Sequence, residues 1–191
     1  MNLFYAFLVS MSISTSLLSM QSQPILDKVE IKSEALTYSE VIEIPIVDKD
    51  KLFIRGREWF NENFKSSRNV LQIEDKETGE LAGKGIMSIK TSYRSLGDRP
   101  YHADVSFTMN VWVKDGKYKY EISNFEAGGT QQVYRGPITT SNDLKAQMIG
   151  LSKEKANDAY LKLKKEVDKE ANLMIASLKK KMAQESNASN W

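Results

Sequence analysis

From Ala103 to Val113 apolar and polar residues alternate with Trp112 as the one exception, and the run ends on Lys114-Asp115-Gly116-Lys117. A period of two over that length is a strand with one face turned to a core. Asp-Gly between two such runs is the signature of a two-residue type I′ hairpin. The turn sets the register: Val113 lies opposite Tyr118, Val111 opposite Tyr120 and Met109 opposite Ile122 on one face. On the other, Trp112 lies opposite Lys119, Asn110 opposite Glu121 and Thr108 opposite Ser123. One face is apolar and the other is polar apart from the tryptophan, so the chain must build an antiparallel sheet covered on one side only.

The cover comes from two amphipathic segments. Asp48 or Asp50 offers an N-cap, and Leu52, Phe53, Gly56, Trp59, Phe60 and Phe64 follow at helical spacing to Lys65. Gly56 in a helix interior costs about 1 kcal/mol against Ala, which points to close packing of that helix on the sheet. A longer helix, capped near Ser152 and running over about 152–183, carries the stripe Ala156, Tyr160, Leu163, Val167, Ala171, Met174, Leu178 and Met182. Its steps resemble heptads, so helix pairing with a second copy stands beside packing on the sheet.

Three more strands complete the sheet. Tyr38 to Val47 alternates with Ile42, Ile44 and Ile46 on one face, and Pro45 makes this an edge strand or points outward. Residues 69–75 and Glu80 to about Thr91 form a hairpin through Asp75-Lys76-Glu77-Thr78-Gly79, a type I turn with Gly79 left-handed. Gly83 and Gly85 signal a bulge, a bend or a close backbone approach on the return strand. The expected fold class is α+β in the order β-α-β-β-β-β-α over 38–183, an antiparallel sheet with helices packed on one face. Residues 23–37 read as a linker, 127–142 as a loop, and 184–191 as a disordered tail.

Residues 3–20 carry no charge and are interrupted by Ser and Thr. That stretch is short for a membrane span, so residues 1–22 are expected to be a cleaved export signal, with an uncleaved anchor or a buried helix as alternatives. The protein is then periplasmic or secreted and meets the membrane only during export. The chain has no Cys and one His, which excludes a lipoprotein, thiol nucleophiles, disulfides and the usual Cys/His zinc sites. No cofactor or metal is implied.

Four stretches together resemble a family of bacterial secreted domains of unknown function with a TATA-box-binding-protein-like (TBP-like) fold. They are Tyr38-Ser39-Glu40-Val41, Arg57-Glu58-Trp59-Phe60, Ile73 through Gly79, and Gly83-Lys84-Gly85, spanning about 38–126. The resemblance implies a TBP-like fold and export. The family has no established activity, so no catalytic residue carries over.

Candidate chemistry is sparse. Gly79 to Gly85 lacks the spacing, the following Ser or Thr and the strand-to-helix setting of a phosphate loop, and reads as a bent strand. His102 beside Asp104 keeps open an envelope hydrolase using His102 and a nearby carboxylate, although no GxSxG accompanies it. Glu74, Asp75 and Glu77 lie in an exposed turn, a poor setting for paired-carboxylate catalysis. The topology brings the 92–102 connection, the segment after 127 and the start of the second strand to one end of the sheet. Tyr93, Arg94, Arg99, Tyr101, Tyr134 and Arg135 gather there, with Arg68 nearby, and Arg forks and tyrosine faces suit anionic groups, glycans and protein partners. On the open face Trp112 is either a stacking platform for a sugar or base or the partner of Lys119 in a cation–π pair. A net charge of +2 and Glu121 on the open face argue against nucleic acid. The expected function is a non-catalytic binding or interaction module whose partner is a protein or glycan of the cell envelope. Oligomeric state is left open.

Overall fold

The computed structural model describes residues 34–64, 70–94, 100–128, 134–142 and 152–184. The elements are β1 (Tyr38–Glu43), α1 (Lys49–Asn63), β2 (Val70–Asp75), β3 (Glu80–Arg94), β4 (Pro100–Lys114), β5 (Lys117–Gly128), β6 (Gly136–Pro137) and α2 (Lys153–Ala183). The sheet is antiparallel in the order β1-β5-β4-β3-β2, with β6 added to β5. Both helices pack on one face, so the architecture is two layers, α+β, as the periodicity requires.

The β4–β5 register is the expected one, with Val113 opposite Tyr118 and Trp112 opposite Lys119. The turn type is not. A type I′ turn needs positive φ at both central residues, and among the described non-glycine residues only Ile46 and Asn124 have it. Gly116 is left-handed and Asp115 is not. The β1–α1 connection explains this, because it docks on the turn: Gly116 N–H donates to Val47 O, Ile44 N–H to Gly116 O, and Lys49 N–H to Asp115 Oδ1.

The same docking moves Ile46. Residues 44–47 make a turn closed by Val47 N–H to Ile44 O, with Pro45 and Ile46 at its centre. Pro45 suits the first central position, and Ile46 is driven to φ 72° and full exposure. It therefore leaves the core face, and Val47 packs against the core in its place. β1 is an edge strand, one of the two outcomes expected from Pro45, although Pro45 itself lies beyond the strand in the turn.

Three further boundaries differ from the sequence reading. Residues 34–37 belong to the sheet rather than the linker: Leu36 N–H donates to Ile138 O and Leu36 is buried. Part of the expected 127–142 loop is ordered into β6, and Ile138, which donates to Phe125 O, sits fully inside. On α2 the buried residue is Ile175, with Met174 only partly covered.

Between Ser106 and Thr108 of β4, β5 carries an extra residue, absorbed by Asn124 at φ 56°. Asn tolerates the left-handed region, so the bulge returns Phe125 to the core face three residues after Ile122. The bulge of the other hairpin falls on β2, between Leu71 and Ile73, opposite Ala82 and Gly83. Gly79 is left-handed as expected, and a Cβ there would meet Val113 O at 2.6 Å.

Gly56 behaves as its position implies. A Cβ on it would stand 2.8 Å from Leu81 Cδ1, so glycine is what lets α1 lie flat on β3. The neighbouring Arg55 is a residue that periodicity treats as exposed, yet it is buried and donates from Nη1 to Met182 O in the last turn of α2 at 2.8 Å. A cation at a helix C-terminus meets the negative end of the dipole, so Arg55 ties the two helices together. Trp59 Nε1 donates to Ser177 Oγ at 3.1 Å, and Lys181 reaches both Glu58 and Glu62. From the sheet edge, Tyr38 donates to Asp168, and Glu40 accepts from Tyr120 and pairs with Lys179.

Burial, with the Glu40 hydrogen bond second, pushes the Tyr120 phenol up to about 12, so it stays a donor. The Tyr118 hydroxyl has no hydrogen-bond partner within the buried core. An orphaned buried hydroxyl keeps its desolvation cost. Tyr118→Phe is therefore expected to be neutral or to stabilise by up to about 1 kcal/mol in urea unfolding; a loss of that size would show that the hydroxyl has a partner.

Candidate functional site: the open face of the sheet

With the helices on one face, the other face is free to meet a ligand, and the ladder dictates what stands there. Val41 of β1, Lys119 of β5, Trp112 of β4 and Glu80 of β3 form one row across four strands. The next row is Ser39, Glu121, Asn110 and Ala82. Val41 is 58% exposed and Trp112 half-buried. Between them lies a cleft of ≈ 380 Å³ lined by Val41, Thr78, Trp112, Lys114, Lys117 and Lys119, with Val113 and Tyr118. Sheet-borne side chains are held more rigidly than loop-borne ones, so these walls are pre-formed.

Lys119 Nζ stands 5.1 Å from the centroid of the Trp112 ring and 3.4 Å from Glu121. The cation–π pair is therefore present. The indole and the Val41 side chain form the apolar walls of the cleft.

The loop end is built as topology requires, but it is a separate place. Tyr93 and Arg94 end β3, Tyr101 is the second residue of β4, Arg94 lies opposite Pro100, and Arg135 is exposed just before β6. Arg99 and Arg68 lie outside the described residues. Tyr134 faces inward: it is buried, donates to Pro137 O at 2.7 Å and packs edge-on against Tyr160. Burial pushes its phenol up to about 12. It supports the β6 segment and offers no surface to a partner. Trp112 sits at the opposite end of β4 from Tyr101, about 35 Å away at the rise of an extended strand. The sequence-derived site thus divides in two, and no small ligand touches both halves.

His102 is exposed near the start of β4, opposite Lys90. Ser88 Oγ donates to Asp104 Oδ1 at 2.7 Å. A serine nucleophile needs its proton on an imidazole, whereas here that proton faces a carboxylate. A shallow cleft at the start of α1 is lined by Asp48, Lys49, Asp50, Lys51, Ile54 and Asp115. Its acids are engaged by Lys51, Lys76 and the Lys49 amide. Among the described residues no group of three or more His, Asp or Glu side chains is placed to hold a metal ion, and no helix is long and apolar enough to cross a membrane.

Comparison with known proteins shows the same fold. A family model described as a domain of unknown function (DUF4468) with TBP-like fold matches residues 38–127. A crystal structure of a DUF4468 family protein from Bacteroides ovatus is similar at a TM-score of 0.63 and 16% identity, over 80% of this chain and 89% of that one. A TBP-like protein from Parabacteroides distasonis is similar at a TM-score of 0.55 and 12% identity, over 76% and 93%. No curated protein matches.

Proposed function

Residues 38–127 belong to the DUF4468 family of domains with a TBP-like fold, and from that premise we propose that the protein is a non-catalytic binding module of the cell envelope whose ligand rests on the open sheet face. The observation that carries the reading is the cleft between Val41 and Trp112, a concave apolar site on rigid strands at a position the helices leave bare. Small-ligand sites have this composition: apolar walls with a few polar groups at the rim. The uncharged segment 3–20 supports an envelope location.

The test is an array of envelope glycans and peptides probed with the native chain and with Trp112→Ala. At least one ligand bound by the native chain is expected to weaken about tenfold or more, ~1.4 kcal/mol, when the indole is removed. The half-buried position of Trp112 keeps the loss of fold stability small. If every ligand found is indifferent to Trp112, or if a turnover appears that His102→Ala abolishes, the reading is wrong.

A further inference from the structure

The charge around the cleft identifies the class of ligand. Lys119 is engaged with Trp112 and Glu121. Lys114 and Lys117 are exposed and directly opposite each other on the last rung of the hairpin. Neither makes an ion pair or a side-chain hydrogen bond among the described residues. Glu43, opposite Lys117 on β1, is also exposed and makes no ion pair with it. Like charges directly opposite destabilise a strand pair, and Glu43 on the far side of Lys117 offsets this cost only across solvent, without an ion pair. Two ammonium groups with no partner therefore stand at the rim of a cleft whose walls are Val41 and Trp112.

We propose that the cleft binds an acidic saccharide, with a sugar ring against Trp112 and Val41 and its anionic substituents held by Lys114 and Lys117. This rests on the binding reading above. A sugar ring presents its C–H groups to an apolar wall and fixes its carboxylate relative to them. An acidic peptide carries its charge on flexible stems whose ordering opposes binding. Lysine is a compact point charge without the bidentate fork of arginine, so carboxylate, sulfate and phosphate substituents are all accommodated. A cleft of ≈ 380 Å³ falls within the usual range for small ligands.

Isothermal titration of the full chain with trigalacturonate, its fully methyl-esterified form and hexaglutamate tests this. Trigalacturonate is expected to bind, with the uncharged ester about tenfold weaker or worse. Lys114→Gln/Lys117→Gln should show a similar loss with no fall in melting temperature, because removing the opposed charges relieves rather than strains the hairpin. Raising the salt from about 50 to about 300 mM should weaken trigalacturonate binding, since exposed charges are screened. Equal binding of the ester, lost on Trp112→Ala but not on the double lysine change, overturns the acidic ligand and leaves the binding module standing. Tighter binding of hexaglutamate overturns the saccharide. Absence of any Trp112-dependent binding, here and across the array, overturns both.

Discussion

A chain ending at Asn142 will not fold. α2 contributes Tyr160, Leu163, Val167, Ile175, Leu178 and Met182 to the core, together with three buried alanines. Each large side chain is worth about 1.5–3 kcal/mol when buried, and their sum rivals or exceeds the 5–15 kcal/mol by which a whole domain is stable. The truncation also removes the carbonyl that Arg55 binds, the hydroxyl that Trp59 binds, the carboxylate that Tyr38 binds and the Lys179 partner of Glu40. Tyr120 would lose Lys179 from over its ring. Circular dichroism with urea titration of residues 34–142 should show no cooperative transition. A cooperative transition would mean that the sheet and α1 stand alone. The outcome bears on the family, since the matched segment ends at residue 127, whereas the likeness to the Bacteroides ovatus structure extends over 80% of the chain.

Trp59→Ala should be the most damaging single change, costing about 3–5 kcal/mol. Trp59 is 1% exposed and lies edge-on to Phe60 at 5.2 Å and tilted against Phe64 at 5.9 Å. From Phe64 ring contacts continue to Phe107, Phe125 and Tyr38, so one aromatic chain crosses from α1 over the sheet to its β1 edge. Removing the indole opens a void at the head of that chain and frees Ser177. Ser177→Ala separates the two contributions, since loss of one hydrogen bond costs about 0.5–1.5 kcal/mol. A Trp59→Ala loss no larger than that of Ser177→Ala would show that the ring is not the keystone of the helix layer.

Much of this was legible in the sequence because the relevant signals are local. Alternation and the Asp-Gly pair specify the β4–β5 register residue by residue, and the spacing of Leu52, Gly56, Trp59 and Phe60 specifies which face of α1 is buried. What escaped depends on contacts between distant segments. Ile46 continues the alternation of β1, and only the docking of its turn on Gly116 takes it out. Asp115 is denied positive φ by the same contact. Arg55 looks like an exposed helix residue until α2 ends beside it, and Ile138 has no periodic neighbours to mark it as core.

The candidate site shows the same division. Trp112 on a polar face was visible from register alone, as was the gathering of Tyr93, Arg94, Tyr101 and Arg135 at one end. Their separation follows from the same topology, because Trp112 precedes the hairpin at the other end of the strand. The opposition of Lys114 and Lys117 follows from the turn, whereas the position of Glu43 opposite Lys117, without an ion pair, appears only in the fold.

Amide chemical-shift mapping of the isotope-labelled full chain with trigalacturonate locates the ligand on the sheet. Perturbations are expected to concentrate at Val41, Trp112, Lys114, Lys117 and Lys119, with Tyr93, Arg94, Tyr101 and Arg135 unmoved. Perturbations confined to that second group, with the Trp112 row silent, would contradict this placement.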